Sequence, residues 1–145
     1  MLNSVEIKHY RSADVESVLL FYANTSYRNI SSVDAKDVIV AAYYGNEKIG
    51  LYRLCKEENI CVLRGFYMLE PYRGNGIGSM MLETLNEVAK GKNIYLTCIK
   101  QRNSFYAKAG FNIALNNVPN ILQERMRNYN NPEMNILLRL AENVN

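Results

Sequence analysis

The first part of the chain predicts one strand and one amphipathic helix. Residues 4–9 alternate weakly between apolar and polar side chains, which is typical of a strand. Four apolar residues then recur at i, i+3, i+4 and i+7, the spacing of one helix face, with Ser12 as the predicted N-cap. They are Val15, Val18, Leu19 and Tyr22. A polar stretch over 24–32 follows, and we expect a short helix near 33–37.

The middle of the chain carries three β-rich runs in close succession. The first covers 38–44 and ends at Gly45-Asn46, a dipeptide typical of a two-residue hairpin turn. The second covers 48–55, and after another polar turn the third covers 60–68. Strands joined by such short turns predict an antiparallel meander.

After this meander, strands and helices alternate. Four apolar residues mark one face of a helix that ends at Lys90-Gly91, where glycine is an expected C-terminal stop. They are Ile77, Met81, Leu85 and Val88. Further strands are predicted over 94–99, 111–115 and 134–140, and further helices over 104–109 and from Pro119 to Met126. The pattern predicts an α/β (α+β) fold with a mixed sheet and helices on both faces.

The size and composition fit one globular domain. The 145 residues contain no internal repeat and no linker-like tract, so we expect a single domain over 1–145. Apolar residues make up 48% and charged residues 21%, the balance of a soluble protein. No run approaches the roughly 20 apolar residues that cross a bilayer, and the N-terminus lacks a secretory pattern. These features predict a cytoplasmic protein without a membrane partner.

The sequence offers few candidate metal ligands and no strongly basic segment. Cys55, Cys61 and Cys98 lie in apolar runs without metal-ligand spacing, and His9 is the single histidine. We therefore expect no metal site. The net charge of +3 is mild and no block of five like charges occurs, which disfavours a nucleic-acid partner.

A glycine-rich loop lies between the third strand of the meander and the next helix. Its residues are Arg73, Gly74, Asn75, Gly76, Ile77, Gly78 and Ser79. The glycines permit a sharp turn and leave room for a ligand, and the first N–H groups of the helix add positive potential. A pyrophosphate is the natural occupant, with Arg73 as a cation beside it. Ser79 stands where a dinucleotide fingerprint needs its third glycine, and the Gly-Lys-Ser/Thr ending of a P-loop is missing.

Two segments carry a resemblance to a known family. Residues 73–78 resemble the R-x-x-G-x-G/A signature of the GNAT superfamily of N-acetyltransferases. Residues 105–111, Phe-Tyr-Ala-Lys-Ala-Gly-Phe, resemble the F-Y-x-K-x-G-F segment of that family. The segments stand in the family's order, with the strand over 94–99 between them, and the resemblance covers nearly the whole chain. It implies a mostly antiparallel central sheet of about seven strands, and acetyl-CoA as cosubstrate without a metal.

The resemblance also implies roles for single residues. The strand end at Tyr67, Met68 and Leu69 would run beside the pantetheine arm, and the backbone N–H of Met68 would hold the developing oxyanion. The backbone amides over 74–79 would cradle the pyrophosphate. Tyr106 matches the family's tyrosine near the CoA sulfur, a general acid for the departing thiolate, although it could also be a packed aromatic residue.

Two further residues and the general base have open roles. Relatives carry an asparagine before the short helix that bonds the pantetheine, so Asn103 either binds CoA or caps that helix. Lys108 either reaches a CoA phosphate or is a solvated helix residue. No Asp, Glu or His lies in the strand over 60–68, where many relatives place a base. The base therefore stays open between His9, acting through a water, and bulk water.

The predicted function is acetyl transfer from acetyl-CoA to a small primary amine. The acceptor would contact the first helices and residues 116–131, and arginines facing the cleft would suit an acceptor with a carboxylate or phosphate. The side chains considered are Tyr22, Tyr27, Arg28, Arg53 and Arg64. The alternatives are a macromolecular acceptor (a protein amine or aminoacyl-tRNA) and a CoA-binding regulatory module without turnover. The resemblance leaves a homodimer open.

Overall fold

One mixed β-sheet organises the protein. The computed structural model describes residues 4–27 and 33–141, and these ranges contain seven strands. The strands are β1 (Val5–Tyr10), β2 (Val38–Tyr44), β3 (Glu47–Glu57), β4 (Ile60–Met68), β5 (Ile94–Ile99), β6 (Phe111–Ile113) and β7 (Met134–Arg139). They lie in the order β1-β2-β3-β4-β5-β7-β6, and every neighbouring pair except β4–β5 is antiparallel. This arrangement confirms the predicted fold class and the predicted meander.

Helices cover both faces of the sheet. Within the described ranges they are α1 (Val15–Ala23), α2 (Ile77–Glu83), α3 (Leu85–Val88), α4 (Asn103–Ala107) and α5 (Asn120–Tyr129). On one face, Tyr22 of α1 packs with Ile39 and Leu51 of the sheet. On the other face, the apolar side chains of α2 and α3 join the larger core. We call these the α1 face and the α2 face.

Two predictions for the segment before β2 are wrong. Helix α1 begins after Asp14, whose carboxylate accepts the Ser17 N–H at 3.2 Å, so Asp14 rather than Ser12 is the N-cap. Residues 33–37 form a turn instead of a helix. The Asp34 carboxylate accepts the backbone N–H two residues further on, at 2.8 Å, and such local bonds compete with helical ones.

The helix after the glycine loop is interrupted at Thr84. Its predicted inner face is confirmed, because all four predicted apolar residues are buried. The Thr84 hydroxyl, however, donates to the Met81 carbonyl and shares a hydrogen bond of 2.7 Å with the Tyr52 hydroxyl. A hydroxyl that bonds the preceding turn bends a helix, and the segment divides here into α2 and α3.

Strands β4 and β5 separate soon after they pair. Their parallel ladder contains two residue pairs, Cys61–Ile94 and Val62–Tyr95. Beyond these pairs the register of the described strands has no further β4–β5 partner, although both strands continue for several residues. The sheet therefore opens into a cleft at its centre.

A bulge in β4 shapes one wall of this cleft. From the pair Arg53–Arg64 to the pair Leu51–Tyr67, β3 advances by two residues and β4 by three. Gly65 sits at the bulge with φ +65°, a backbone conformation that favours glycine. Because a bulge shifts the alternation of side chains by one residue, Arg64 and Tyr67 both lie on the α1 face.

Candidate active site

The cleft between β4 and β5 has a volume of about 1000 Å³. Its walls combine the second halves of both strands with the glycine loop, α4 and the end of α5. It brings together most of the predicted site residues. Those that line it are Tyr67, Met68, Arg73, Gly74, Gly76, Ile77, Gly78, Ser79, Tyr106 and Lys108. Leu69, Asn75 and Asn103 are not among the residues that line it.

The backbone of Met68 is directed into the cleft. The Leu69 N–H donates to the Ile49 carbonyl at 2.8 Å, and hydrogen-bonded and non-bonded pairs alternate along an antiparallel ladder. The neighbouring pair Gly50–Met68 is therefore non-hydrogen-bonded, and the N–H and C=O of Met68 point away from β3. They face the region where β5 has separated from β4, so the N–H is available to a ligand.

The glycines of the loop serve two different purposes. Gly74 and Gly76 each have φ +80°, and a Cβ added at either would meet nothing within 4 Å. They allow the sharp turn into α2 and leave open space in front of the backbone. Gly78 instead allows close packing, because a Cβ there would come within 3.0 Å of the Phe105 ring.

Arg73 contacts the end of β4. Its Nε donates to the Met68 carbonyl at 2.8 Å, and its guanidinium lies 5.0 Å from the centroid of the Tyr67 ring. These contacts hold the side chain against the strand end as well as beside the loop. The role beside a pyrophosphate stays a prediction.

Tyr106 lies in an aromatic cluster at the back of the cleft and is 6% exposed. Its ring meets those of Phe66, Phe105 and Phe111 edge-on, with centroids 5.1 to 6.2 Å apart. Burial, reinforced by the nearby Cys98, raises the pKa of Tyr106 above its ordinary value of 10.0. Among the described residues, none forms a hydrogen bond with its hydroxyl. The phenol therefore keeps its proton at neutral pH and lines the cleft.

The Asn103 side chain forms hydrogen bonds with Asn135 and does not cap a helix. It is the first residue of α4, and the preceding Arg102 makes no side-chain cap. The Asn103 amide donates to Asn135 Oδ1 at 2.7 Å and its oxygen accepts from Asn135 Nδ2 at 3.0 Å. The cap alternative is wrong, because this reciprocal pair fixes the side chain against β7. Asn75, for its part, donates to the Tyr72 carbonyl at 3.5 Å within the loop.

The part of the cleft on the α1 face has its own lining side chains, and we call this part the α1 chamber. Its lining residues are Ser26, Tyr27, Arg64, Tyr67, Thr97 and Tyr129. The Tyr67 hydroxyl shares a 2.9 Å hydrogen bond with Ser26, and this bond, aided by the Arg73 charge, lowers the pKa of Tyr67. The chamber is thus aromatic and rich in hydroxyl groups.

The two arginines of the meander have different positions. Arg64 lines the chamber, whereas Arg53 is fully buried and does not line the cleft. Arg53 Nη1 lies 3.4 Å from Asp37 Oδ2, and its guanidinium lies 5.8 Å from the Tyr22 ring centroid. Its charge is neutralised inside the fold. Arg28 lies outside the described residues.

Sequence reasoning missed several lining residues. Tyr129 continues the apolar stripe of α5 three residues beyond Met126, a periodicity that could have found it. Ser26, Thr97 and Cys98 also line the cleft. No local sequence pattern marks these three residues, because they reach the cleft only where β4 separates from β5.

The described lining residues include no aspartate, glutamate or histidine. His9 lies on β1, at the far edge of the sheet, and its Nε2 is 2.9 Å from Glu87 Oε2. It therefore does not line the cleft. Within the same described ranges, no group of three or more His, Cys, Asp or Glu residues could hold a metal ion, and no helix is long and apolar enough to cross a membrane.

Solved structures of acyltransferases share this fold. An IAA acetyltransferase from Bacillus cereus is 21% identical with a TM-score of 0.66, and the alignment covers 94% of this chain and 99% of that one. Arabidopsis thaliana Naa50, in complex with the bisubstrate analogue CoA-Ac-MVNAL, is 25% identical with a TM-score of 0.59, covering 94% and 98%. N-acetylglutamate synthase from Neisseria gonorrhoeae, complexed with coenzyme A and L-arginine, is 16% identical with a TM-score of 0.66, covering 96% of this chain and 34% of that one.

A family model identifies the chain more directly. The model described as "Acetyltransferase (GNAT) domain" matches residues 35–113, more than half of the sequence. The chain therefore belongs to the GNAT acetyltransferase family, which confirms the predicted resemblance and the predicted class of enzyme. A comparison with curated protein sequences gave no significant match.

Proposed function

We propose that this protein transfers the acetyl group of acetyl-CoA to a small primary amine. The observation that carries the proposal is the position of the Met68 N–H, which faces the cleft between the open glycine loop and the protonated Tyr106. Family membership supports acetyl-CoA as the donor. The cleft volume of about 1000 Å³ suits a cosubstrate together with a small acceptor.

Different residues of the cleft would bind different parts of acetyl-CoA. The backbone amides at Gly74 and Gly76 would hold the pyrophosphate, since the open space in front of them leaves room for phosphate oxygens. The Met68 N–H would donate a hydrogen bond to the thioester oxygen and stabilise it as negative charge develops. Arg73 supports that position indirectly, because its bond to the Met68 carbonyl fixes the same peptide segment.

The reaction then proceeds by direct attack. The lone pair of the neutral amine forms a C–N bond to the thioester carbon, and the C–S bond breaks. The leaving sulfur takes the phenolic proton of Tyr106, and Tyr106 regains a proton from solvent. The amine nitrogen loses one proton. A phenol with a raised pKa is fully protonated at neutral pH and can act as this acid in each cycle.

Water receives the amine proton in this proposal. The described walls offer no carboxylate or imidazole, while Arg64 and Arg73 both line the cleft. The acceptor therefore has to attack as the neutral amine, and its surplus proton passes to solvent in the cleft. The chemistry needs no dedicated base under these conditions.

CoA release with a panel of amines tests the proposal. Acetyl-CoA and the purified protein should release CoA faster with at least one amine than with buffer alone. Gly76→Asp should abolish acetyl-CoA binding in calorimetry, because it adds a negative charge and strains a backbone with φ +80°. Gly91→Asp is the matched control, because Gly91 has φ +78°, has nothing within 4 Å of an added Cβ and does not line the cleft. Equal acetyl-CoA affinity in the two variants would contradict the assignment of the loop.

A peptide N-terminus is the second candidate acceptor. Naa50, at 25% identity, was solved with an analogue that joins CoA to a five-residue peptide sequence. Adding short peptides to the amine panel distinguishes the candidates. Turnover with peptides alone would replace the small-amine proposal, and tight acetyl-CoA binding without any turnover would indicate a regulatory module.

A further inference from the structure

The α1 chamber contains an arginine whose positive charge is only partly compensated. Arg64 Nη1 lies 3.4 Å from Glu57 Oε2, and the same carboxylate pairs with Arg125 of α5. Arg125 Nη1 is 3.5 Å from Glu57 Oε2, and Arg125 Nη2 also contacts Oε1. One carboxylate thus forms ion pairs with two guanidinium groups. The triad of Glu57, Arg64 and Arg125 retains one positive charge.

This charge is held where solvent screens it poorly. The side chains of Glu57, Arg64 and Arg125 are 13%, 21% and 18% exposed. Glu57 contacts Arg125 through both carboxylate oxygens but contacts Arg64 through Oε2 alone, so the ion pair with Arg64 is the weaker of the two. Of the Arg64 nitrogens, Nη1 alone has a hydrogen-bond partner among the described residues. The other donors remain for a ligand, and a partly buried cation favours a bound anion.

The triad lies far from the point of acetyl transfer. Arg64 and Met68 are four residues apart on β4, which corresponds to roughly 13 Å or less at 3.3 Å per residue. Glu57 pairs with Ile60 at the start of β4, so the contact with Glu57 draws the Arg64 guanidinium further away from Met68. A ligand that touches both positions must have its two polar ends separated by several bonds. The rings of Tyr27 and Tyr67 line the same part of the cleft and meet edge-on, with centroids 6.1 Å apart.

We propose that the acceptor is a primary amine with a carboxylate several bonds from its nitrogen, and that Arg64 binds this carboxylate. This inference rests on the proposed acetyltransferase function and names its substrate class. One negative charge balances the single uncompensated charge of the triad, whereas a doubly charged phosphate would exceed it. The aromatic walls suit the apolar segment between the two ends. Arg64 is therefore a specificity-determining residue.

Matched pairs of amines test the charge requirement. ε-Aminocaproate and n-pentylamine share a five-carbon chain on the nitrogen and differ in the terminal carboxylate. We expect kcat/KM to be at least tenfold higher for ε-aminocaproate, mainly through KM. Arg64→Met should remove this preference while leaving acetyl-CoA affinity unchanged. Arg127→Met removes the same charge from an exposed residue of α5 outside the cleft, and should keep the preference.

A series of chain lengths tests the distance requirement. Glycine, β-alanine, γ-aminobutyrate and ε-aminocaproate place the carboxylate progressively further from the amine. We expect kcat/KM to rise along this series. A maximum at glycine, or equal rates for each carboxylate and its matched alkylamine, would overturn the inference and leave the acetyltransferase function intact. Higher rates with aminoalkyl phosphates would assign the chamber to phosphate instead.

A binding measurement decides the inference without turnover. Calorimetry of n-hexanoate with the CoA complex should detect binding that Arg64→Met weakens at least tenfold and Arg127→Met does not. If acetyl-CoA binds normally but n-hexanoate does not bind, or binds equally well to Arg64→Met, the carboxylate inference is overturned. The proposed acetyltransferase function would then still stand. If the protein does not bind acetyl-CoA, the proposed acetyltransferase function itself is overturned.

Discussion

Gly65 is the position where one added methyl group should disturb the β4 bulge most. A Cβ at Gly65 would lie 2.1 Å from the Tyr22 hydroxyl and 3.0 Å from Cζ of the same ring. That hydroxyl donates a 2.6 Å hydrogen bond to the Gly65 carbonyl, and Tyr22 is completely buried. Gly65→Ala therefore has to move a side chain that has no free space, or to open the bulge.

The expected loss of stability has two parts. An alanine at φ +65° costs about 1–2 kcal/mol, the ordinary cost of a left-handed conformation for a residue with a Cβ. Separating the Tyr22 hydroxyl from the Gly65 carbonyl leaves buried polar groups without a partner, which costs a further ~1–3 kcal/mol. The total is roughly 2–5 kcal/mol, a large fraction of the stability of an ordinary domain.

Urea unfolding of the wild type, the two alanine variants, Tyr22→Phe and the Tyr22→Phe/Gly65→Ala double variant measures these two contributions separately. Gly45→Ala has a similar φ of +61° with nothing within 4 Å of the added Cβ, so it should lose about 1–2 kcal/mol only. Gly65→Ala should lose clearly more than this control. In a Tyr22→Phe background the closest clash is removed, and the cost of Gly65→Ala should fall toward that of Gly45→Ala. Equal losses for the two alanine variants in the wild-type background would refute the reasoning.

Three further predictions concern catalysis, a buried ion pair and alkaline pH. Tyr106→Phe should lower kcat by about 10²-fold or more in a CoA-release assay while calorimetry shows little change in acetyl-CoA affinity, and full activity would exclude the acid role. Asp37→Asn should lower the free energy of unfolding by about 3–5 kcal/mol in urea, because it leaves the buried Arg53 charge without its carboxylate; a loss under 1 kcal/mol would contradict this. Burial raises the pKa of the Cys55 thiol from 9.0 to about 12, so the folded state binds more protons than the unfolded state between these pH values and stability falls as pH rises. This group alone should remove about 1 kcal/mol between pH 9 and pH 10, and Cys55→Ala should lose correspondingly less; identical pH profiles would contradict the prediction.

Local periodicity was sufficient to predict most of the sheet. The bounds of β4 and β5 agree with the structure because both strands read as uninterrupted β-rich runs between turn residues. The segment over 33–37 was predicted wrongly, since the polar contacts of Asp34 replaced helical bonds. Those contacts depend on side-chain geometry that a hydropathy pattern does not contain.

The candidate site was predictable where a contiguous motif carries it. The glycine loop and Tyr106 both line the cleft, whereas Arg53 and Asn103 do not. The sequence does not show whether a charged residue in a strand is buried, because that depends on its partner. The partner of Arg53 is Asp37, sixteen positions earlier in the chain. Likewise, the pairing of Asn103 with Asn135 depends on β7, which returns to the sheet late in the chain.

The early separation of β4 from β5 places strand edges in the interior of the molecule. An open edge at the rim of a sheet can pair with a strand from another protein molecule, and it is a common starting point for aggregation. Here the edge of β4 is recessed between aromatic side chains on one side and the glycine loop on the other. The protein thus holds an unpaired backbone group, the N–H of Met68, inside a cleft rather than at the outer rim of the sheet.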